Sequence, residues 1–283
     1  MLRKKSKRHF YIVTVIMVLL VIWTAWSNTT VGITHYTVAS DRLPASFDHY
    51  SIVVVSDLHN AEFGENNSQL IKLIEKEKPD IIVITGDLVD SNKTNIDIAQ
   101  KLVGTLTGIA PCYYVTGNHE AWLGEQYQEL ESILLDEGVA ILHDRAVQLI
   151  KNTESIQLAG LDDPDFTDRA PLQQSMIKTK INNMNLTDNY CVLLSHRPEA
   201  FEDYVSENID LVLSGHAHGG QFRLPIIGGI VAPNQGLFPK YDAGIYSENY
   251  TTMVVSRGIG NSIIPIRFNN RPEIISVELI CDS

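Results

Sequence analysis

Thiols are scarce in this chain: Cys112, Cys191 and Cys281 are its three cysteines, far apart and in no metal-ligand spacing. An odd, sparse set excludes a disulfide framework. Cys112 and Cys191 stand in apolar runs and read as small core residues; the set does not fix the compartment. Glycine and proline are scattered without a low-complexity run, and no repeat at solenoid spacing is present. Positive charge is also scarce. Lys and Arg number 22 against 34 Asp and Glu, and five of the basic groups (Arg3, Lys4, Lys5, Lys7, Arg8) fall in residues 1–27, which hold no acid. Residues 28–283 are left with 17 basic and 34 acidic groups, a net charge of −17. Such a body repels polyanions, so nucleic acid is not expected as a partner. A small phosphate remains open, because bound divalent cations invert the field locally.

What is present is a globular composition. The 283 residues are 44% apolar and 20% charged, enough for a substantial core in one large domain or two small ones. One run departs from this. Phe10 to Trp26 (FYIVTVIMVLLVIWTAW) is 17 residues without a charge, directly after the basic cluster. That length is at the low end for a helix crossing a bilayer. The basic flank predicts residues 1–9 in the cytoplasm and everything after Ser27 outside, with Trp23 and Trp26 in the outer interfacial belt. A cleaved signal peptide would have a shorter apolar stretch ending in small residues. Bulky Trp26 spoils that pattern, so an uncleaved single-pass anchor in the cell membrane is expected.

From Ser51 the chain alternates short apolar runs with amphipathic segments. Ile52–Val55, Ile81–Ile84 and Tyr113–Val115 read as strands. Between them, Leu70 to Ile74 and Ile96 to Leu106 carry helical spacing, and Pro79 stops the first helix. This strand–helix rhythm predicts an α/β fold with an at least partly parallel sheet. The second half is looser. Val139–Leu142, Ala146–Ile150, Ile156–Ala159, Val192–Leu194 and Leu211–Leu213 read as strands, residues 161–170 as a polar loop and 172–186 as helix. Met253–Ser256 and Ile274–Leu279 read as closing strands, and no linker separates two domains.

Position carries the chemistry. Metal-ligand residue types follow five separate apolar strands, at Asp57/His59, Asp87, Asn118/His119, His196 and His216/His218. Ligands of open α/β sheets bind outside the carboxyl ends of the strands. If these strands share a layer, all eight residues meet on one rim. One histidine in a strand-end loop is ordinary; five of the chain's nine, with two aspartates and an asparagine in glycine-flanked turns, are not.

In these blocks the sequence resembles the calcineurin-like metallophosphoesterase superfamily, whose pattern is D-x-H, G-D, G-N-H-[ED], a lone His, then G-H-x-H. Here it reads Asp57-Leu58-His59, Gly86-Asp87, Gly117-Asn118-His119-Glu120, His196 and Gly215-His216-Ala217-His218, in the same order with none missing. The turns SDLHN, SHRPE and GHAHGGQ look most like small membrane-associated bacterial members. The resemblance implies a sandwich of two mixed β-sheets flanked by helices, preceded here by the transmembrane helix. The expected divisions are a basic segment at 1–9, an anchor at 10–27, a connecting segment with a first strand at 28–50, and a catalytic domain at 51–283.

The resemblance also implies roles. Two divalent ions would be held, one by Asp57, His59 and His218, the other by Asn118, His196 and His216, with Asp87 bridging. His119 would not ligate but would face the leaving group. Two cations ~3.5–4 Å apart can acidify a bridging water and clamp attacking and leaving oxygens, and histidine suits protonation of the departing oxygen. Mixed N/O ligands suit Mn, Fe or Zn without choosing among them. The expected reaction is hydrolysis of a phosphate mono- or diester. The anchor favours an envelope substrate such as a lipid-linked phosphate.

Two other readings expect different sequences. A scaffold without turnover on the same fold would have lost a ligand or His119; an amidohydrolase-like or lactamase-like dinuclear enzyme would place His-x-His early. Glu120 reads as a carboxylate supporting a neighbouring turn. Arg197 reads as a partner of Glu199 or Glu202, or as a phosphate clamp. His9, His35, His49 and His143 read as non-catalytic. Specificity is expected in 161–186 and 221–250.

Overall fold

A computed structural model describes residues 2–167 and 174–282. Helix α1 (Leu2–Thr29) leads into strand β1 (Gly32–Ser40), then β2 (Tyr50–Val55), helix α2 (Ser68–Glu77), β3 (Ile81–Ile84), α3 (Ile96–Leu106) and β4 (Cys112–Tyr114). Helices α4 (Asn118–Trp122) and α5 (Gln126–Asp136) precede β5 (Ala140–Ile141), β6 (Arg145–Lys151) and β7 (Glu154–Gly160). There follow α6 (Gln174–Asn183), β8 (Cys191–Leu194), α7 (Phe201–Ser206) and β9 (Leu211–Ser214). Two small hairpins, β10 (Arg223–Leu224) with β11 (Gly228–Gly229) and β12 (Val231–Ala232) with β13 (Gly236–Leu237), come before β14 (Gly244–Glu248), β15 (Thr251–Val255) and β16 (Glu273–Cys281).

Among the described residues, these strands form two six-stranded sheets, β1-β16-β2-β3-β4-β5 and β14-β15-β9-β8-β7-β6. In the first sheet β2 to β5 run parallel; in the second β7, β8, β9 and β15 do. In the first sheet β16 runs antiparallel to β2, and in the second β14 and β6 run antiparallel at the two edges, so both sheets are mixed, as expected. The sandwich interior packs Ile52, Val54 and Val83 of one sheet with Leu158, Val192 and Leu213 of the other. Leu70, Ile74, Leu102 and Leu106 cover the first sheet's outer face, and Ile177, Ile181 and Phe201 the second's. In α3, buried Ala99, Leu102, Val103 and Leu106 recur at the i, i+3, i+4, i+7 spacing that points one stripe inward. Lys78 caps α2 in left-handed backbone just before Pro79, where the helix was expected to stop.

β1 pairs with β16 along nine residues, so the segment after α1 is built into the first sheet rather than only leading to it. The helix expected at 172–186 is described as Gln174–Asn183; its first part and the end of the loop expected at 161–170 lie outside the described residues. Cys112 and Cys191 are buried as expected, and burial pushes both thiols up to about 12.

Candidate metal centre

The parallel strands of both sheets deliver their carboxyl ends to one rim, and all eight residues singled out above are buried there. Five of them, Asp57, His59, Asp87, His216 and His218, hold φ between 45° and 65°. Non-glycine residues seldom adopt that region, and such strain of ~1–3 kcal/mol each concentrates at functional sites. Backbone hydrogen bonds fix the turns: Asp57 N–H donates to Gly86 O and His59 N–H to Asp87 O. Close approach explains two glycines. A Cβ on Gly117 would collide with the Asp87 carboxylate, and one on Gly215 with Ser56 and Asp57.

The side chains gather into two donor groups. His59 Nε2 lies 3.3 Å from His218 Nε2 and 3.4 Å from Asp87 Oδ2, and His218 Nε2 lies 3.5 Å from Asp57 Oδ1. In the second group, His196 Nε2 lies 3.1 Å from His216 Nδ1, 3.2 Å from Asn118 Oδ1 and 3.2 Å from Asp87 Oδ2. Asp87 Oδ2 therefore faces both groups. Its other oxygen accepts the His119 N–H at 2.8 Å. Asp90, which was not expected here, comes near His59 and His119.

The donor chemistry fits divalent cations. His196 Nδ1 donates to Thr85 O at 2.7 Å, which turns the Nε2 lone pair toward the other donors. Nitrogen and carboxylate lone pairs then confront one another among buried side chains. Without a cation, protons must separate them. Burial opposes a charged His196, yet Asp87 and Asp57 push it up to about 10; burial drives His59 down to about 3 and lifts Asp57 to about 6. Burial also opposes the ionised Asp87, but His196 and His59 hold it well below the usual carboxylate range.

His119, with the donors Asp87, Asn118, His216 and His218, lines a cavity of about 580 Å³ whose walls also include Trp122, Asp165, Arg197, Asn234, Ser262 and Ile263. Ser91 N–H donates to its Nδ1 at 3.0 Å, so the hydrogen sits on Nε2, which faces Ser262 Oγ at 3.0 Å. Arg197 meets Glu199, one of the two partners expected, but its main partner is another carboxylate. Its guanidinium forks onto Asp163 (2.5 and 2.8 Å), reaches Glu199 only at 3.6 Å, and leaves Glu202 to Lys240. Asp163, Ser91, Ser262 and Arg267 were not singled out from the sequence; only Asp163, in the acid-rich run LDDPD, carried a signal. Buried Arg267 ties the returning chain down by donating to Gly260 O, Arg257 O and Asn261 Oδ1. Outside the centre, His35, His49 and His143 pair with Glu77, Glu278 and Asp162 respectively.

Glu120 is fully buried and accepts the backbone N–H groups of Asp87 (2.8 Å), Leu88 (2.8 Å) and Gly117 (2.7 Å), clamping two donor-bearing turns together. Burial, with Asp87 nearby, pushes its carboxyl up to about 7 while these amides pull it down. Glu120→Gln keeps the shape but aims an NH₂ at N–H donors. Leaving those buried N–H groups without an acceptor should cost the variant about 1–3 kcal/mol of folding stability. It should also bind metal more weakly. Denaturant midpoints and elemental analysis check this; unchanged values for both would show that the clamp is dispensable.

Comparison with known proteins leads the same way. The model of the calcineurin-like phosphoesterase family matches residues 50–220. The uncharacterized metallophosphoesterase YkuE of Bacillus subtilis (strain 168) is 31% identical over 255 residues, covering 85% of this chain and 82% of its own. The phosphodiesterase YaeI of Escherichia coli (strain K12) is 29% identical over 235 residues, covering 82% of each. A Danio rerio transmembrane protein with metallophosphoesterase domain is 31% identical over 248 residues; the match takes in 84% of this chain but 55% of that longer protein.

Proposed function

Because the chain belongs to the calcineurin-like phosphoesterase family and is a metal-dependent phosphoester hydrolase, we propose that it uses two divalent cations, of Mn, Fe or Zn type, to hydrolyse a phosphate mono- or diester at the membrane. Asp57, His59 and His218 would hold one cation, Asn118, His196 and His216 the other, and Asp87 both. The observation that carries this reading is the single oxygen, Asp87 Oδ2, within 3.4 Å of a histidine from each donor group, beside His119 in one cavity. When bound, such cations supply Lewis acidity toward phosphoryl oxygens and lower the pKa of water. The chain's own residues do the rest. Thr85 and Ser91 fix the His196 and His119 tautomers, and His119 presents Nε2–H to the cavity as the proton donor for the departing oxygen. Arg197, neutralised by Asp163, holds the cavity wall rather than drawing in anions.

The membrane part of the proposal rests on α1. Its segment His9–Thr29 is long and apolar enough to cross a bilayer. The one-sided basic cluster supports residues 1–9 in the cytoplasm and the catalytic body outside. The full chain in detergent should hydrolyse bis(p-nitrophenyl) phosphate with Mn(II) or Zn(II) added and lose that activity on exhaustive chelation. Full activity in protein shown metal-free by elemental analysis would sink the metal assignment.

A further inference from the structure

The cavity rim carries an apolar side chain that stands in solvent, and two hairpins and a loop of the chain expose others. Ile263, on its rim, is 80% exposed, and Ile266 is 46%. Ile226 and Ile227 form the tip of the β10–β11 hairpin, and Leu237 and Phe238 end the neighbouring hairpin; all four are exposed. Ile226 has no shielding at all and holds φ +74°, a conformation rare for a β-branched residue. Strained backbone that displays an isoleucine to water gains nothing within the chain. An exposed apolar group of this kind marks a contact surface.

These segments are tied together and to α1. Phe222 bridges Phe268, and Phe238 N–H donates to Ile230 O. Asn28, near the end of α1, exchanges two hydrogen bonds with the Arg267 backbone at 2.7 and 2.8 Å, and the Arg271 guanidinium lies 4.8 Å over the Trp26 ring. Pro265 and Ile266 share an apolar crevice with Met17, Leu20 and Val21 of the helix. At ~1.5 Å of rise per residue, Val21 stands about 10 Å below Asn28 along the axis. Interfacial apolar groups reach ~5–10 Å into a bilayer, so with α1 as an anchor, Pro265 and Ile266 beside it would lie within that reach.

We propose that this collar seats the catalytic body on the bilayer that α1 crosses, so that the cavity takes phosphate esters of membrane amphiphiles presented at headgroup level. The inference rests on the readings of α1 as an anchor and of the cavity as a phosphoesterase centre. With residues 28–283 at net −17, anionic headgroups offer the body no overall attraction, and the apolar side chains supply the contact.

The test uses the full chain in phosphatidylcholine vesicles carrying phosphatidate and phosphatidylglycerol, with Mn(II). Cys281→Ser removes the half-buried thiol, and a nitroxide is placed at Ile226→Cys or, as a control, at Ile150→Cys on β6. The label at 226 should collide with oxygen and be shielded from a water-soluble nickel chelate, whereas the label at 150 should show the reverse. The double variant Ile226→Ser/Ile227→Ser should lose roughly tenfold or more on vesicle phosphate while hydrolysing bis(p-nitrophenyl) phosphate within about twofold of wild type. Equal chelate access at 226 and 150, or equal loss on both substrates, would overturn the seat. Wild type that turns over the soluble ester but no vesicle phosphate would overturn the substrate class. Release of the chain by alkaline carbonate would overturn the anchor and the seat with it. A wild type inert toward the soluble ester would overturn the catalytic reading, while the label at 226 would still report the seat.

Discussion

Asp87→Asn is expected to lose one metal equivalent per chain and on the order of 10³-fold or more in turnover. No other single donor change should do as much damage, because no other donor faces both groups. Asp87 Oδ2 lies 3.4 Å from His59 Nε2 and 3.2 Å from His196 Nε2, while Oδ1 accepts the His119 N–H. An amide in its place offers one oxygen and one NH₂. If the oxygen takes the Oδ2 position, the NH₂ confronts the His119 N–H and shifts the proposed proton donor. If it takes the Oδ1 position, the NH₂ points at the histidines and one cation loses its shared anion. Either arrangement disturbs the centre, and the negative charge facing both donor groups is gone. Lewis-acid stabilisation is worth several kcal/mol and each ~1.4 kcal/mol is tenfold, which sets the size of the loss. Elemental analysis and turnover of bis(p-nitrophenyl) phosphate check it together. Two metals retained with a near-wild-type rate would mean that Asp87 does not bridge.

The donors were legible in the sequence because each ends an apolar strand. β-Branched runs such as Ile81–Ile84 announce buried parallel strands, and whatever polar residue follows must lie at a carboxyl end. The supports were less legible because of how they act. Ser91 contributes a backbone N–H, which nearly every residue owns. Asp162, Asp163 and Asp165 share one loop, and nothing in LDDPD says that Asp163 turns inward to Arg197 while Asp162 meets His143 and Asp165 meets Trp122. Arg267 and Ser262 lie in a stretch without periodicity, brought to the centre only because β16 returns beside β2. Glu120 could be read as a support, but its three amide partners depend on two turns, at Asp87-Leu88 and at Gly117, that are distant in sequence.

His119→Ala should spare metal binding and slow turnover, with the loss depending on the leaving group. The two proposed donor groups leave His119 out, so elemental analysis of the variant should match wild type. Ser91 N–H occupies Nδ1 at 3.0 Å, which leaves Nε2 as the edge that carries hydrogen, and that edge opens on the cavity beside Ser262. Trp122, with its ring centroid 4.9 Å from that of His119, and His59 at 4.5 Å restrict the imidazole plane. A positioned proton donor contributes typically ~10²–10⁴-fold, and most when the departing alkoxide is basic. An alkyl ester should therefore show the full deficit, and a nitrophenyl ester of the same phosphate type a much smaller one, because nitrophenolate leaves with little help. Equal deficits on both, with metal content unchanged, would assign Nε2–H to stabilising charge on a non-bridging phosphoryl oxygen. Loss of metal from the variant would place His119 among the ligands, a role that its neighbours Asp90 and His59 would then share.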